Sequence, residues 1–173
     1  LSVFQAVMCV KIKNKHRLKQ KECRLLIEKI HDQVDPDFKI DYSSIETGKI
    51  DDFEFIFLDG VPYFFQINGT LFYTLKGLLS FHPKHRYVVV DMGAVKFVTN
   101  GADVMAPGIV DADSDIEVDM PVWIRDEQHH KPLAIGVALM NGDEMVYSSK
   151  GKAVKMIHFI GDNIWKMSAF ENE

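Results

Sequence analysis

Apolar positions recur along the first half of the chain with two different periods. Leu18, Leu25, Leu26, Ile30 and Val34 fall close to helical spacing, Cys23 and Ile27 widen the stripe, and Asp35-Pro36 closes it, which predicts a helix over 16–34. The preceding run 3–13 (VFQAVMCVKIK) is rich in Val, Ile and Phe and predicts a strand. Further on, 53–59, 61–67 and 70–74 are apolar and aromatic runs parted by Asp59-Gly60 and Asn68-Gly69. Those dipeptides supply the positive φ that two-residue hairpin turns need, so the runs predict an antiparallel meander. Residues 75–81 predict a short helix that stops at His82-Pro83.

The second half has a different texture. Short apolar runs at 87–91, 103–110, 121–125, 132–140 and 153–160 predict strands, and Pro107-Gly108 should bend the second of them. Gly93 and Gly101 bracket a short helix over 93–101, and 143–147 predicts a single helical turn. Many short strands with turn signals between them point to a small barrel closed by non-local pairing. The polar segment 82–86 (HPKHR) is the linker candidate. The reading is therefore α+β, with a small N-terminal α/β domain over 1–86 and a C-terminal β pseudo-barrel with short helices over 87–173.

Composition narrows the class. A hydrophobic fraction of 47% with 26% charged residues suits a packed soluble protein. No apolar run approaches the roughly 18 residues of a membrane span, so no membrane partner is expected. The N-terminus lacks the order of a secretory signal, which implies a cytoplasmic protein. A net charge of -5 argues against indiscriminate coating of nucleic acid, but the charge is uneven. Residues 1–30 carry a net +6, and residues 88–173 a net of -7. Lys15, Arg17, Lys19, Lys21 and Arg24 crowd the start of the predicted helix, where cations oppose its dipole; they form either a solvated basic face or one that meets an anionic neighbour.

Eight of the 19 aromatics lie in the meander, where they can stack on bases or pack on the helix over 16–34. The basic-Gly-aromatic pattern of the sheet-type RNA readers is absent, which favours packing. Cys9 and Cys23 form no metal or disulfide framework and read as buried apolar residues. His82 and His85 lack a third metal ligand at recognisable spacing. The acidic run 111–119 has Ile116 and Val122 where a helix-flanked calcium loop needs Gly and Glu. His129-His130 reads as an exposed turn. No nucleophile elbow, P-loop or dinucleotide fingerprint occurs, so the expectation is a protein that is not an enzyme and needs no cofactor. What remains is a binding surface: the Gly93–Gly101 helix with Lys96, the small-residue stretch Ala106, Pro107 and Gly108, and Lys150, Lys152 and Lys155 near the end. If the last strand lies beside that helix, an acidic domain carries one cationic patch.

The stretches VVVDMGAVKFVTNGADVMAPGIV (88–110), DIEVDMPVWI (115–124), AIGVALM (134–140) and KGKAVKMIHFIGDNIW (150–165) resemble the PUA domain, the RNA-binding module of pseudouridine synthases and archaeosine transglycosylases. GVPYFFQINGTLFYTLKGLL followed by HPKHRYVVVDMGAVKFV resembles the translation machinery-associated branch of PUA proteins. That branch includes the malignant T-cell-amplified sequence protein and the homologous part of ligatin, and the chain looks like a stand-alone archaeal relative. The resemblance implies RNA binding without catalysis, with tRNA or rRNA as the RNA and a ribosomal subunit or translation factor as a further partner. Matched by position, it implies an RNA surface of Gly93, Ala94, Lys96, Ala106, Pro107, Gly108, Lys152 and Ala153, which Lys150 of the cationic patch joins. Lys15, Arg17, Lys19, Lys21, Lys84 and Arg86 are auxiliary basic contacts in this reading. The alternative is an adaptor that binds a protein in a ribosome- or RNA-modification complex.

Overall fold

The computed structural model describes residues 11–169. Strand β1 (Lys13–Arg17) leads into α1 (Gln20–Gln33). Strands β2 (Ile45–Ile50), β3 (Phe53–Leu58), β4 (Val61–Ile67) and β5 (Thr70–Tyr73) follow, then α2 (Leu75–Phe81). The five strands form one antiparallel sheet in sequence order. Asp59 and Gly60, and Asn68 and Gly69, all take positive φ, so the two tight turns form as the dipeptides predict.

The start of the chain departs from expectation. The strand expected over 3–13 lies outside the described residues up to residue 10. The helix begins at Gln20 rather than 16, because 13–17 pairs with β2: His16 lies opposite Thr47 and Arg17 opposite Glu46. Strand β2 had no sequence-based prediction. Only Lys21 and Arg24 of the five cations therefore lie on the helix. Lys15 and Arg17 lie on β1, and Lys19 is the residue before the first turn, where Glu22 caps its backbone N–H at 2.7 Å.

The second half contains β6 (Tyr87–Val90), α3 (Met92–Val98), β7 (Val104–Met105), a 3₁₀ turn at Ala106–Gly108 and β8 (Ile109–Ala112). Strands β9 (Pro121–Asp126) and β10 (Pro132–Ala138), helix α4 (Gly142–Tyr147), strand β11 (Lys152–Phe159) and helix α5 (Asn163–Ala169) complete it. The strand expected over 103–110 is thus broken by the Pro-Gly turn, and α5 is an addition to the expected elements. The six strands run β7-β11-β10-β9-β6-β8 in a nearly closed barrel. Only β6 and β9 are parallel; the other pairs are antiparallel. Among the described residues, no helix is long and apolar enough to cross a membrane.

Two apolar cores form. The first buries Phe55, Phe57, Phe64, Phe65 and Phe72 with Ile30 of α1, so these meander aromatics are core, and the rings of Phe64 and Tyr73 stack at 4.6 Å. The second fills the barrel with Val88, Val90, Ile124, Ala134, Met145 and Val154. The first core also takes Trp123, Ile135 and Ile164 from the second half, so the two units share apolar packing. The connecting segment is pinned: Trp123 Nε1 donates to His85 O at 2.8 Å, Arg86 donates to Asp32 O at 2.9 Å, and His85 meets Asp37 at 2.7 Å.

Candidate RNA interface

The site is built where α3, the 3₁₀ turn and the end of the barrel meet. Asp91 stops β6 and caps α3 by accepting the Ala94 N–H at 2.8 Å. The Asp91 N–H donates to Gly108 O at 2.9 Å, which draws the helix start against the 3₁₀ turn. A Cβ at Gly108 would stand 3.1 Å from Ala94 Cβ, so the helix start and the turn approach each other closely here. Helix α3 ends at Val98, and Gly101 then turns the chain at φ +85° with the Phe159 ring 2.6 Å from where a Cβ would stand. The last strand does lie beside this unit: Lys152 of β11 is opposite Met105 of β7, and Ala106 donates to Gly151 O at 2.9 Å.

These contacts leave an open groove of about 470 Å³ lined by Gly93, Ala94, Phe97, Met105, Pro107 and Gly108, with Asp91 and Asp103 also in its wall. Phe97 is 57% exposed and Met105 46%, so large apolar groups face solvent here. Lys96 Nζ lies 5.0 Å from the Phe97 ring centroid, and Lys152 Nζ lies 3.1 Å from Asp103 Oδ2. Asp103 Oδ1 in turn accepts the Met156 N–H at 2.9 Å. That amide, with the Lys152 ammonium, holds the Asp103 carboxyl below its ordinary range despite partial burial.

The matched positions contribute unequally. Lys96, Lys150 and Lys152 are exposed cations, and Pro107 is an exposed wall residue. Ala106 and Ala153 are buried, and the Ala153 carbonyl accepts the Leu139 N–H at 2.8 Å, so both shape the surface from beneath. The Ala94 N–H is engaged by Asp91. Phe97, Met105 and Asp103 are groove residues that spacing did not single out. The signal for Phe97 was its place beside Lys96 on a helix of barely two turns.

The N-terminal cations form a separate feature. Arg17, Lys21 and Arg24 line a groove of about 620 Å³ with Tyr42, Ser43 and Ser44 and, among the described residues, no carboxylate. Arg17 is anchored to Ser43 O at 3.0 Å, and Lys15 pairs with Glu46 at 3.5 Å. Lys19 and Lys84 are exposed. Arg86 is half-buried and tied to Asp32 O, and burial lowers its guanidinium pKa; it acts as a strut between the units. Cys23 is only partly buried and donates to Leu18 O at 3.7 Å. Among the described residues, no three His, Cys, Asp or Glu side chains converge as metal ligands.

A helix capped by Asp91, a Pro-Gly turn and a final strand around one lysine-rimmed groove place the second half in the PUA class, and the PUA domain profile matches residues 86–160. A profile called Domain of unknown function (DUF1947) matches residues 14–80. An uncharacterised protein of Methanocaldococcus jannaschii is 51% identical over 122 residues, covering 70% of this chain and 75% of the relative. Translation machinery-associated protein 20 of Saccharomyces cerevisiae is 35% identical over 133 residues, covering 73% and 74%. The chain belongs to this family of translation machinery-associated PUA proteins. A solved structure of a hypothetical protein from Pyrococcus horikoshii has the same fold, with a TM-score of 0.80, 36% identity, and coverage of 89% of this chain and 99% of that one.

Proposed function

We propose that the chain is a non-catalytic RNA-binding protein that works with the translation machinery in the cytoplasm and holds structured RNA, tRNA or rRNA, on its PUA face. The observation that carries this reading is the apolar groove with Lys96 and Lys152 on its borders. An exposed aromatic beside cations offers stacking and phosphate contact in one place. Lys150 extends the cationic edge, and the acidic run 111–119 confines RNA to one side of the barrel. The groove of Arg17, Lys21 and Arg24 adds a second cationic face on the same body, fit for a further segment of RNA or the ribosomal subunit that carries it. An adaptor would find no docking surface in Phe55, Phe57, Phe64, Phe65 and Phe72 of the meander, because these side chains are core. Crosslinking in cells, followed by sequencing of the bound RNA, tests the reading. Enrichment of tRNA or rRNA is expected, and its loss in Lys96→Glu/Lys152→Glu assigns the contact to this face. Recovery of a protein complex from nuclease-treated extract, with no RNA crosslinked, would favour the adaptor.

A further inference from the structure

The groove at the start of α1 gathers three cations. Arg17 ends β1, and Lys21 and Arg24 follow one helical turn apart on one side of α1. All three line the groove of about 620 Å³. Carboxylates on the surrounding elements are engaged elsewhere. Glu22 accepts the Lys19 N–H at 2.7 Å, Glu46 pairs with Lys15 at 3.5 Å, and Asp59 accepts the Ser43 and Ser44 N–H groups at 2.9 and 2.8 Å. Arg24 also borders a neighbouring groove that holds Glu28 and Asp41. Among the described residues, neither Lys21 nor Arg24 forms an ion pair.

The walls are set before any ligand arrives. Arg17 donates to Ser43 O at 3.0 Å, and the Leu18 N–H donates to Ile45 O at 2.9 Å, so the corner between β1 and α1 is tied to the segment that leads into β2. Asp59 fixes the backbone of Ser43 and Ser44 from behind. Tyr42 lines the same groove and is 38% exposed, and Leu18, Cys23 and Ile45 add apolar surface. The groove therefore offers a cluster of fixed positive charge, an aromatic face and apolar wall together, at a size that suits one small organic anion.

We propose that this groove is a site for a nucleoside 5′-diphosphate group, either a free nucleotide or the 5′ end of an RNA, with its phosphates on Arg17, Lys21 and Arg24 and its base on the Tyr42 ring. This goes beyond the reading of the groove as a second cationic face. A diphosphate carries about three negative charges, one on the inner phosphate and nearly two on the terminal one, which matches three cations. A guanidinium presents paired donors to phosphate oxygens, and the two arginines with one lysine supply that geometry. The aromatic face accepts a base by stacking.

The test is isothermal titration calorimetry of the full chain with ADP, AMP and inorganic pyrophosphate, and with one pentanucleotide made with a 5′-diphosphate or a 5′-hydroxyl end. ADP is expected to bind at least about tenfold more tightly than AMP, the effect of one charge-assisted hydrogen bond. Lys21→Glu/Arg24→Glu changes two exposed positions and should lower ADP affinity about tenfold or more, with an unchanged circular dichroism spectrum. Tyr42→Ala should weaken ADP about fivefold or more and leave pyrophosphate unaffected. Binding of ADP alone assigns a free nucleotide, binding of the 5′-diphosphate pentanucleotide alone assigns an RNA end, and binding of both supports the shared chemistry. A 5′-hydroxyl pentanucleotide that binds as tightly as its 5′-diphosphate form overturns the proposal in favour of a contact to the RNA backbone. Pyrophosphate as tight as ADP, with no effect of Tyr42→Ala, overturns the nucleoside. Failure of both diphosphates to bind, or ADP binding that survives Lys21→Glu/Arg24→Glu, overturns the site. These titrations read the groove of α1 and leave the PUA face to its own test, so either assignment can fail alone.

Discussion

Leu75 donates its backbone N–H to Nε2 of His158 across 3.2 Å, and this bond joins the first turn of α2 to the last strand of the barrel. Because Nε2 accepts, the ring proton sits on Nδ1 and points at Asp162, 2.8 Å away. His158 is fully buried and its ring meets Phe65 edge-on at 5.9 Å. The two halves are therefore tied by a directional polar contact inside a shared apolar layer.

His158→Ala should leave the Leu75 N–H unpaired and open a void, at a cost of about 2–4 kcal/mol. Urea unfolding followed by circular dichroism checks this. The wild type is expected to unfold in one transition because its halves share a core, and the variant at a lower midpoint. A midpoint equal to that of the wild type would remove the coupling role of His158.

Asp162 makes the same junction sensitive to acid. Burial pushes its carboxyl up, but the hydrogen bond from His158 and the amides of Trp165 and Phe159 outweigh it, and the net pKa is lowered. A carboxyl with a depressed folded value gives stability that is complete well above its unfolded value, near pH 3.9, and is lost as pH falls through the folded one. Asp162→Asn should therefore weaken the protein at pH 7 and flatten the decline below about pH 4. Urea midpoints at pH 7 and pH 3 measure the difference, and parallel declines in both proteins would contradict it.

Tyr73 and Asp35 form a second buried pair, with the phenol donating at 2.7 Å. Burial drives the Tyr73 phenol pKa up strongly, and Asp35 adds to it. A raised folded value gives stability that is full below the unfolded one and is lost as pH climbs past about 10. An ultraviolet titration should show one tyrosine that ionises only as the fold opens, and Tyr73→Phe should remove that step. The same variant leaves the buried Asp35 short of a donor, which costs about 1–3 kcal/mol.

Gly101 is fixed by two independent demands, a φ of +85° and the Phe159 ring where its Cβ would stand. Gly101→Ala should cost at least about 1–2 kcal/mol for the left-handed backbone, plus the displacement of the ring. Asn tolerates that backbone region better, so Gly101→Asn isolates the clash. Melting temperatures of the two variants provide the check, and a Gly101→Asn protein as stable as the wild type would acquit the ring contact.

Much of this was legible in the sequence because local chemistry decided it. Asp59-Gly60 and Asn68-Gly69 set both hairpin turns, and Pro107-Gly108 broke a strand where it had to. What escaped depended on distant partners. Residues 13–17 form a strand only because β2 lies beside them, and IETGKI in β2 has no strong alternation of its own. The site shows the same division. Lys96 and Lys152 stood out as cations in an acidic half, whereas Asp103 gains meaning only when β7 and β11 bring it to Lys152 and Met156. His158 could not be placed at a junction before α2 was seen to pack there.

The salt dependence of RNA binding tests the PUA face as the RNA surface most directly. Affinity for tRNA should be measured across a potassium chloride series for the wild type and for Lys96→Glu/Lys152→Glu. The charge reversal should weaken binding at low salt and flatten the slope of log affinity against log salt by roughly one per lost phosphate contact, about two in all. A variant with the affinity and the slope of the wild type would contradict the assignment of the PUA face as the RNA surface.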